Sequence, residues 1–332
     1  MNKMTPLQRS MASLSIGLLA LSGCSTTAPN SMSSAALLAP RGSEEVFQSP
    51  EQAAHALVEA NRHNDKAALF KILGKNSDKL VRSGDPVADK EGRQKFVSAY
   101  DTAHKFEATD GGQELLIIGD EEWPLPIPLV HVADGDKAEG GWQFNTEAGQ
   151  DEILNRRIGH NEIYTIGICQ TYVEAQRDYA AQKRTPDRVP EYAQHFVSHA
   201  GKHDGLYWPT VAGEEESPLG PLFADARAEG YDAAHKGGKR HPYHGYYYKI
   251  LKGQSENAAG GAGDYVTNGH MTGGFALIAF PAKYGDSGVM TFIVNQNGIV
   301  FQKNLGTDTA TMARQITQYD PDESWSIVKV QE

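Results

Sequence analysis

The stretch that most constrains this chain runs from Gly149 to Arg184, with no proline before Pro186. Apolar or small residues recur in it at spacings of three, four or seven, as on one face of a helix. These residues are Ile153, Leu154, Ile158, Ile166, Cys169, Tyr172, Val173, Tyr179 and Ala180. The opposite face carries Asn155, Arg156, Glu162, Glu174, Arg177 and Asp178. The pattern predicts a long helix with one buried stripe.

Two glycines weaken this helix. Gly159 and Gly167 each cost about 1 kcal/mol relative to alanine in a helix interior. A break near Gly159 and His160, giving two helices, is therefore the alternative to one continuous helix. No apolar run reaches the roughly 18 residues that indicate a transmembrane span. We therefore interpret the stretch as a docking helix for the strands that follow it.

The N-terminus has the pattern of an export signal. A basic start is followed by a short apolar core, Met11 to Leu21, and by small residues. The sequence Leu21-Ser22-Gly23-Cys24 resembles the cleavage box of bacterial lipoproteins, in which the cysteine is acylated and becomes the first residue. The resemblance implies a signal peptide at residues 1–23 and a membrane anchor of palmitate-type acyl chains on Cys24. The alternative is an ordinary secretory signal with an unrelated cysteine.

The residues after Cys24 predict both a tether and a location. Residues 24–46 are rich in Ser, Thr, Ala and Pro up to Ser43, which is typical of a flexible linker. Ser25, rather than an aspartate, follows the cysteine. In the lipoprotein family this implies the outer membrane of a Gram-negative envelope, with the chain facing the periplasm.

The charge of the chain excludes several kinds of partner. Its 332 residues carry a formal charge of −11, which becomes −13 without the basic Lys3 and Arg9 of the signal peptide. Nucleic-acid binding and polybasic docking on anionic lipid both require clustered positive charge. We therefore expect the membrane, reached through Cys24, and an unknown envelope protein or glycan as partners, and no nucleic acid.

The length suits two α+β domains. For residues 47–148 we predict three helices, the first capped at Ser49 and the third from Lys90 to Lys105, and then an antiparallel sheet. Its strands are Glu114–Ile118, Ile127–Val132 and Gly141–Phe144. This order resembles the small cone-shaped domains of the nuclear-transport-factor-like superfold.

For residues 149–332 we predict the long helix packed on a C-terminal antiparallel meander. The predicted strands are Tyr246–Leu251, Phe275–Phe280, Val289–Val294, Ile299–Lys303 and Trp325–Val328. The predicted short helices are Glu191–His203, one within Pro218–Tyr231, and Met312–Ile316. From Gly159 to Val328 the order of motifs is similar to the globular heads of pilins and pseudopilins, although the long apolar polymerising helix of those proteins is missing.

A wider resemblance covers about Phe47 to Ile327. The segments FQSPEQAAHALVEA, GWQFNTEAGQDEILNRRIGHNE and YVEAQRDYA, followed by GGFALIAFPAKYGDSGVMTFIVNQNGIVFQKNLG, occur in this order. They resemble a family of uncharacterised bacterial envelope proteins that is defined as a domain of unknown function. The resemblance implies no activity.

Two histidine groups are the candidate sites. His195, His199 and His203 would share one face of a helix, where imidazoles four residues apart can hold zinc. The alternative is a solvated polar face. A second group comprises His235, His241 and His244 with Tyr246 and Tyr247, in a basic, aromatic loop. Such a loop could bind an anion or a sugar on its tyrosine rings, or simply cover the edge of the sheet.

No catalytic motif accompanies these groups. The chain lacks a G-x-S-x-G elbow, a Walker loop and a dinucleotide fingerprint, so we predict no cofactor and no catalytic residue. Asp320, Asp322 and Glu323 form either a calcium site or an Asp-Pro turn. Cys169, the only other cysteine, is expected to be a buried thiol.

Two functions follow from these observations. The first is a non-catalytic envelope lipoprotein that acts as a structural, adaptor or binding module. The second is an envelope hydrolase or metal-dependent binding protein that uses the histidine-rich segment from His195 to His244. The second requires that the six imidazoles of this segment converge in one cleft.

Overall fold

The computed structural model describes residues 42–109, 111–134, 137–182, 189–210, 213–231 and 241–329. The predicted signal peptide, Cys24, the predicted tether up to residue 41 and His235 lie outside these ranges. Among the described residues, no helix combines the length and apolarity that a membrane crossing requires.

The described part of the N-terminal half begins with the α-helices α1 (Pro50–Arg62), α2 (Lys66–Leu73), α3 (Asp78–Val81) and α4 (Pro86–Thr102), with a 3-10 turn at Lys75–Ser77 before α3. The cap of the first helix is the one that the sequence predicts. Ser49 Oγ accepts a hydrogen bond from Gln52 N, and Asp65 Oδ1 accepts one from Ala68 N. These side chains satisfy backbone N–H groups that a helix leaves unpaired at its start, so local sequence sets where α1 and α2 begin.

The predicted third helix, Lys90–Lys105, is wrong at both ends. Helix α4 begins at Pro86, because Asp85 caps it and proline suits the first helical position. It ends at Thr102, and the chain continues as strand β1 (His104–Ala108), which pairs with β2 (Glu114–Ile118). Strand pairing therefore overrides the helical pattern of these last residues.

A predominantly antiparallel meander completes the N-terminal half. Its remaining strands are β3 (Trp123–Pro124), β4 (Leu129–Asp134) and β5 (Lys137–Phe144). The sheet order is β1-β2-β4-β5, with β3 paired to β2. Leu57 and Ile72 of the helices share one apolar core with Leu116, Leu129 and Phe144 of the strands. The predicted arrangement of helices on a small antiparallel sheet is thus confirmed.

Helix α5 (Thr146–Ala181) is one continuous element of 36 residues, so the break at Gly159 does not occur. Each glycine costs about 1 kcal/mol relative to alanine. The burial of Leu154, which precedes Gly159, and of Cys169, which follows Gly167, outweighs this cost. Gly149 has a packing role, since a Cβ there would lie 2.2 Å from the carbonyl oxygen of Pro126.

The C-terminal half contains a second antiparallel sheet of five strands, in the order β14-β13-β12-β11-β6. These strands are β6 (Tyr246–Leu251), β11 (Ala276–Pro281), β12 (Met290–Asn295), β13 (Phe301–Asn304) and β14 (Ser326–Ile327). Two small ribbons pair β7 (Gly253–Gln254) with β8 (Gly263–Asp264), and β9 (Val266–Thr267) with β10 (His270–Met271). The helices here are α6 (Gly220–Ala228) and α7 (Thr309–Gln315).

Helix α5 covers this second sheet, as the sequence predicts. Tyr172 and Val173 lie in the same core as Phe275 and Phe292, and the rings of Tyr172 and Phe275 meet edge to face at 5.6 Å. The face of α5 that the sequence predicts to be polar is not solvent-exposed along its whole length. Glu162 is half-buried and accepts hydrogen bonds from the N–H groups of Val289 and Met290, the latter being the first residue of β12.

The predicted helix Glu191–His203 is wrong. The segment is irregular and is held by isolated bridges, which pair Tyr192 with Met271 and Val197 with Tyr207. The N–H of Ser198 donates to the carbonyl of Tyr207, so its backbone groups bond to another segment. Tertiary pairing replaces the local helical bonds that the histidine spacing suggested. The described residues of both halves belong to one compact unit.

Candidate functional site: an aromatic cleft

A cleft of about 530 Å3 opens between helix α6, strand β6 and the segment around Phe196. This volume falls in the range of roughly 300–1,000 Å3 that is typical of small-molecule sites. Its walls are mainly apolar and aromatic; they include Phe196, Phe223, Tyr231, Tyr243, Tyr247 and Ile250. We call this feature the aromatic cleft.

Helix α6 supplies one wall through residues at helical spacing. Phe223 and Arg227 stand four residues apart and therefore share one face of the helix. Phe223 stacks on Tyr207 with ring centroids 4.1 Å apart, and the Arg227 guanidinium lies 5.4 Å from the centroid of the same Tyr207 ring. Sequence reasoning missed this wall, although the Phe-Arg spacing was available as a signal.

The opposite wall includes two residues that the sequence singled out. His241 and Tyr247 both line the cleft, and His241 is exposed. Tyr246, the neighbour of Tyr247, points into the core instead. Its ring is fully buried and its hydroxyl donates to the carbonyl of Met290, so no ligand can stack on it. The four residues of β6 that follow Tyr246 all line the cleft, so the burial of Tyr246 and its hydrogen bond to Met290 are what keep its ring out of the cleft.

A tight turn stabilises the floor of the cleft. Tyr243 and Tyr246 exchange backbone hydrogen bonds across His244 and Gly245, which both have positive φ, 46° and 75°. This is the geometry of a two-residue hairpin turn in which both central residues are left-handed. Gly245 is required there, because a Cβ would lie 2.6 Å from Asn161 Nδ2.

His244 is a buried structural group and not part of the cleft wall. Its ring lies 3.7 Å from that of Tyr164 on α5, and its Nε2 lies 2.9 Å from Glu229 Oε2. Burial lowers the pKa of His244 to about 4 and raises the pKa of Glu229. Both shifts disfavour an imidazolium–carboxylate pair, so we interpret the contact as a hydrogen bond to a neutral imidazole.

Asp85 joins this turn to the N-terminal half. Its Oδ1 caps α4, while its Oδ2 accepts hydrogen bonds from Tyr231 Oη and Gly245 N, both at 2.9 Å. Burial raises the pKa of Asp85, opposed by these hydrogen bonds. Burial, together with the charge and the hydrogen bond of Asp85, raises the pKa of Tyr231. The sequence analysis did not single out Asp85.

The first histidine group is only partly assembled. His195 and His199 lie together, with ring centroids 5.0 Å apart, and Asp204 Oδ2 is 2.8 Å from His199 Nδ1. His203 is elsewhere and stacks on Trp208 at 4.2 Å. His195 also lines the aromatic cleft. The described residues contain no group of three or more His, Cys, Asp or Glu side chains that could hold a metal ion.

Asp320 and Asp322 of the C-terminal acidic group have local hydrogen-bond partners. Asp320 Oδ1 accepts hydrogen bonds from Ser255 Oγ and Asn257 Nδ2, and Asp322 accepts one from Ser324 N. These two carboxylates therefore stabilise turns. Cys169 is fully buried, and burial raises the pKa of its thiol to about 12, which keeps it protonated and unreactive.

Comparison with known proteins identifies a family and nothing more. The family model described as "Protein of unknown function (DUF2950)" matches residues 44–328, so the chain belongs to this family. No curated protein matches the chain. No solved structure matches it either.

Proposed function

We propose that this member of the DUF2950 family is a lipid-anchored, non-catalytic binding module of the Gram-negative envelope. Cys24 would carry the anchor at the outer membrane, with the folded body in the periplasm. The resemblance of Leu21-Ser22-Gly23-Cys24 to a lipoprotein cleavage box supports the anchor. The aromatic cleft supports the binding role and is the single observation that carries it.

The construction of the cleft favours binding over catalysis. Its tyrosine hydroxyls are largely committed to other groups: that of Tyr231 to Asp85, that of Tyr243 to Tyr164 and that of Tyr248 to Thr165. Acid–base catalysis needs a group with a suitable pKa within reach of a substrate. Burial and hydrogen bonding raise the pKa of Tyr231 and of Tyr243 away from neutrality, which suits a rigid wall.

The hydrolytic or metal-dependent alternative has less support. His195 and His241 line the same cleft, and His199 lies beside His195. The rings of His203 and His244 make other contacts, with Trp208 and Tyr164. The likeness to pilin heads remains a proposal about architecture, supported by the order of one long helix and a following antiparallel sheet.

A neutral hydrophobic dye tests the binding role. N-phenyl-1-naphthylamine should bind the periplasmic body, without signal peptide, at one site and with increased fluorescence. Ala226→Trp, which fills the cleft from α6, should abolish the signal, whereas Ala224→Trp is the matched control, because exposed Ala224 does not line the cleft. Equal binding by both variants would place the dye elsewhere and contradict the proposal.

A further inference from the structure

The walls of the aromatic cleft also indicate which ligand it takes. We propose that the ligand is an amphipathic anion, with an apolar body held between the aromatic walls and its anionic group at Arg227. This inference rests on the proposed binding function and specifies the ligand class.

The apolar body has a continuous surface to contact. Phe223 lies on one wall, and Tyr247 and Ile250 lie on the wall formed by β6. Phe196 contributes from the irregular segment. Burying apolar surface is worth about 25 cal/mol per Å2, so a flat or chain-like apolar group gains most of its affinity here.

The charged side chains among the described lining residues of the cleft are all positive. No aspartate or glutamate occurs among the described residues that line it, although the chain as a whole carries a formal charge of −11. The lining cations are Arg227 and Lys249; the imidazoles of His195, whose pKa is lowered by burial, and of His241 lie beside them. A site lined by one sign of charge raises the local concentration of ligands of the opposite sign.

Of these groups, Arg227 is the one placed to receive an anion. The Lys249 ammonium donates to the carbonyls of Ala313, Arg314 and Ile316, which occupies all three of its protons. Arg227 is exposed, and its guanidinium carbon lies over the Tyr207 ring, 5.4 Å from the ring centroid. The N–H groups of a guanidinium can bind a carboxylate or sulfonate through two parallel hydrogen bonds.

Two polar side chains of the cleft that could bind a neutral sugar are already paired. Gln194 donates to the carbonyl of Gly269 and accepts from Lys252. The hydroxyl of Tyr172 donates to the carbonyl of Ala276. A sugar relies on several converging donors and acceptors, whereas these walls combine apolar surface with positive charge. The chemistry therefore favours an amphipathic anion over a neutral glycan.

Two dyes that differ by one charge test this inference. 8-Anilinonaphthalene-1-sulfonate carries a sulfonate, and N-phenyl-1-naphthylamine has the same aromatic body without it. Fluorescence titration of the periplasmic body should give about tenfold tighter binding of the sulfonate, as expected for one charge-assisted hydrogen bond. Arg227→Gln should weaken the sulfonate about tenfold and leave the neutral dye unchanged. Arg314→Gln, a change at an exposed arginine outside the cleft, should affect neither dye.

The outcomes separate this inference from the proposed function. If the two dyes bind with equal affinity and Ala226→Trp abolishes the binding of both, the inference of an anionic ligand is refuted, whereas the proposed binding cleft is supported. An affinity for the sulfonate that Arg227→Gln does not change would also overturn the inference, because the anion would lie elsewhere. Absence of both dyes from the cleft would overturn the inference and the binding function together. Competition by dodecanoate or by 2-naphthoate then distinguishes an aliphatic body from an aromatic one.

Discussion

The Asp85 carboxylate accepts a hydrogen bond from the backbone N–H of Gly245, 160 residues further along the chain, at 2.9 Å. The same carboxylate caps helix α4, so the start of that helix and the turn below the aromatic cleft share one buried group. Because a buried charge is tolerated only when it is fully hydrogen-bonded, this contact fixes how the N-terminal half meets the cleft.

Asp85→Asn should therefore destabilise the protein. An asparagine can still cap α4 through its oxygen, but its amide nitrogen would face the N–H of Gly245, donor against donor. Leaving a buried donor without a partner costs about 1–3 kcal/mol. Urea unfolding should show this loss. Asp308→Asn is the control, since exposed Asp308 makes no side-chain cap bond to α7, and equal stability of the two variants would contradict the role of Asp85.

Val173→Asp tests the packing of α5 on the second sheet. Val173 is 3% exposed within the C-terminal core, whereas the adjacent Glu174 is exposed. An unpaired carboxylate at position 173 should cost several kcal/mol, comparable to much of the 5–15 kcal/mol that is typical of a domain. Glu174→Ala should change stability by under about 0.5 kcal/mol. Thermal unfolding compares them, and a wild-type melting temperature for Val173→Asp would refute the packing.

His244 should make the protein sensitive to acid. Its pKa is about 4 in the folded protein because of burial, and about 6.5 when unfolded. The unfolded chain therefore binds more protons between these values, so stability falls as the pH falls from 6.5 towards 4. By pH 4.5 this contribution amounts to about 2–3 kcal/mol.

His244→Asn should reduce that acid-induced loss, because asparagine does not titrate and tolerates the positive φ at this position. Glu229, His160, Glu91 and Lys95, which lie near this site, are present in both proteins. The difference between the two profiles from urea unfolding at pH 7.5, 5.5 and 4.5 therefore reports the loss of the imidazole and of its contact with Glu229. Parallel profiles would show that folding does not lower the pKa of His244.

Acylation at Cys24 follows from the proposed anchor. Cells grown with an alkyne analogue of palmitate should incorporate the label into this protein, and the protein should fractionate with the outer membrane. Cys24→Ala should lose the label, because no other residue of the signal region offers a thiol. Label retained in that variant would exclude this cysteine as the anchor, whereas Cys169→Ala should label like the wild type.

Local patterns predicted much of the secondary structure. Strands β2 and β6 have the predicted bounds, and the cap at Ser49 lies where the sequence places it. These features depend on residues close together in the chain, whose hydrogen bonds and conformational preferences can be read directly.

The site was less predictable, because its parts come from separate segments. The histidine spacing at 195–203 suggested a helix, yet the segment bonds to Met271 and Tyr207 instead. Tyr246 and Tyr247 looked equivalent, and only the placement of β6 directs one into the core and the other into the cleft. Asp85 carried no motif, since its role depends on contacts with the distant residues Tyr231 and Gly245.

The sequence by itself determined the α+β class, the long docking helix and the apolar faces of the second sheet, since periodicity and capping are properties of neighbouring residues. Tertiary structure determined that α5 continues through Gly159 and that Asp85 bonds to Gly245. It also determined that α6 and β6 enclose an aromatic cleft. Such features depend on burial and on pairing between distant segments, where the free energy of packing outweighs local preference.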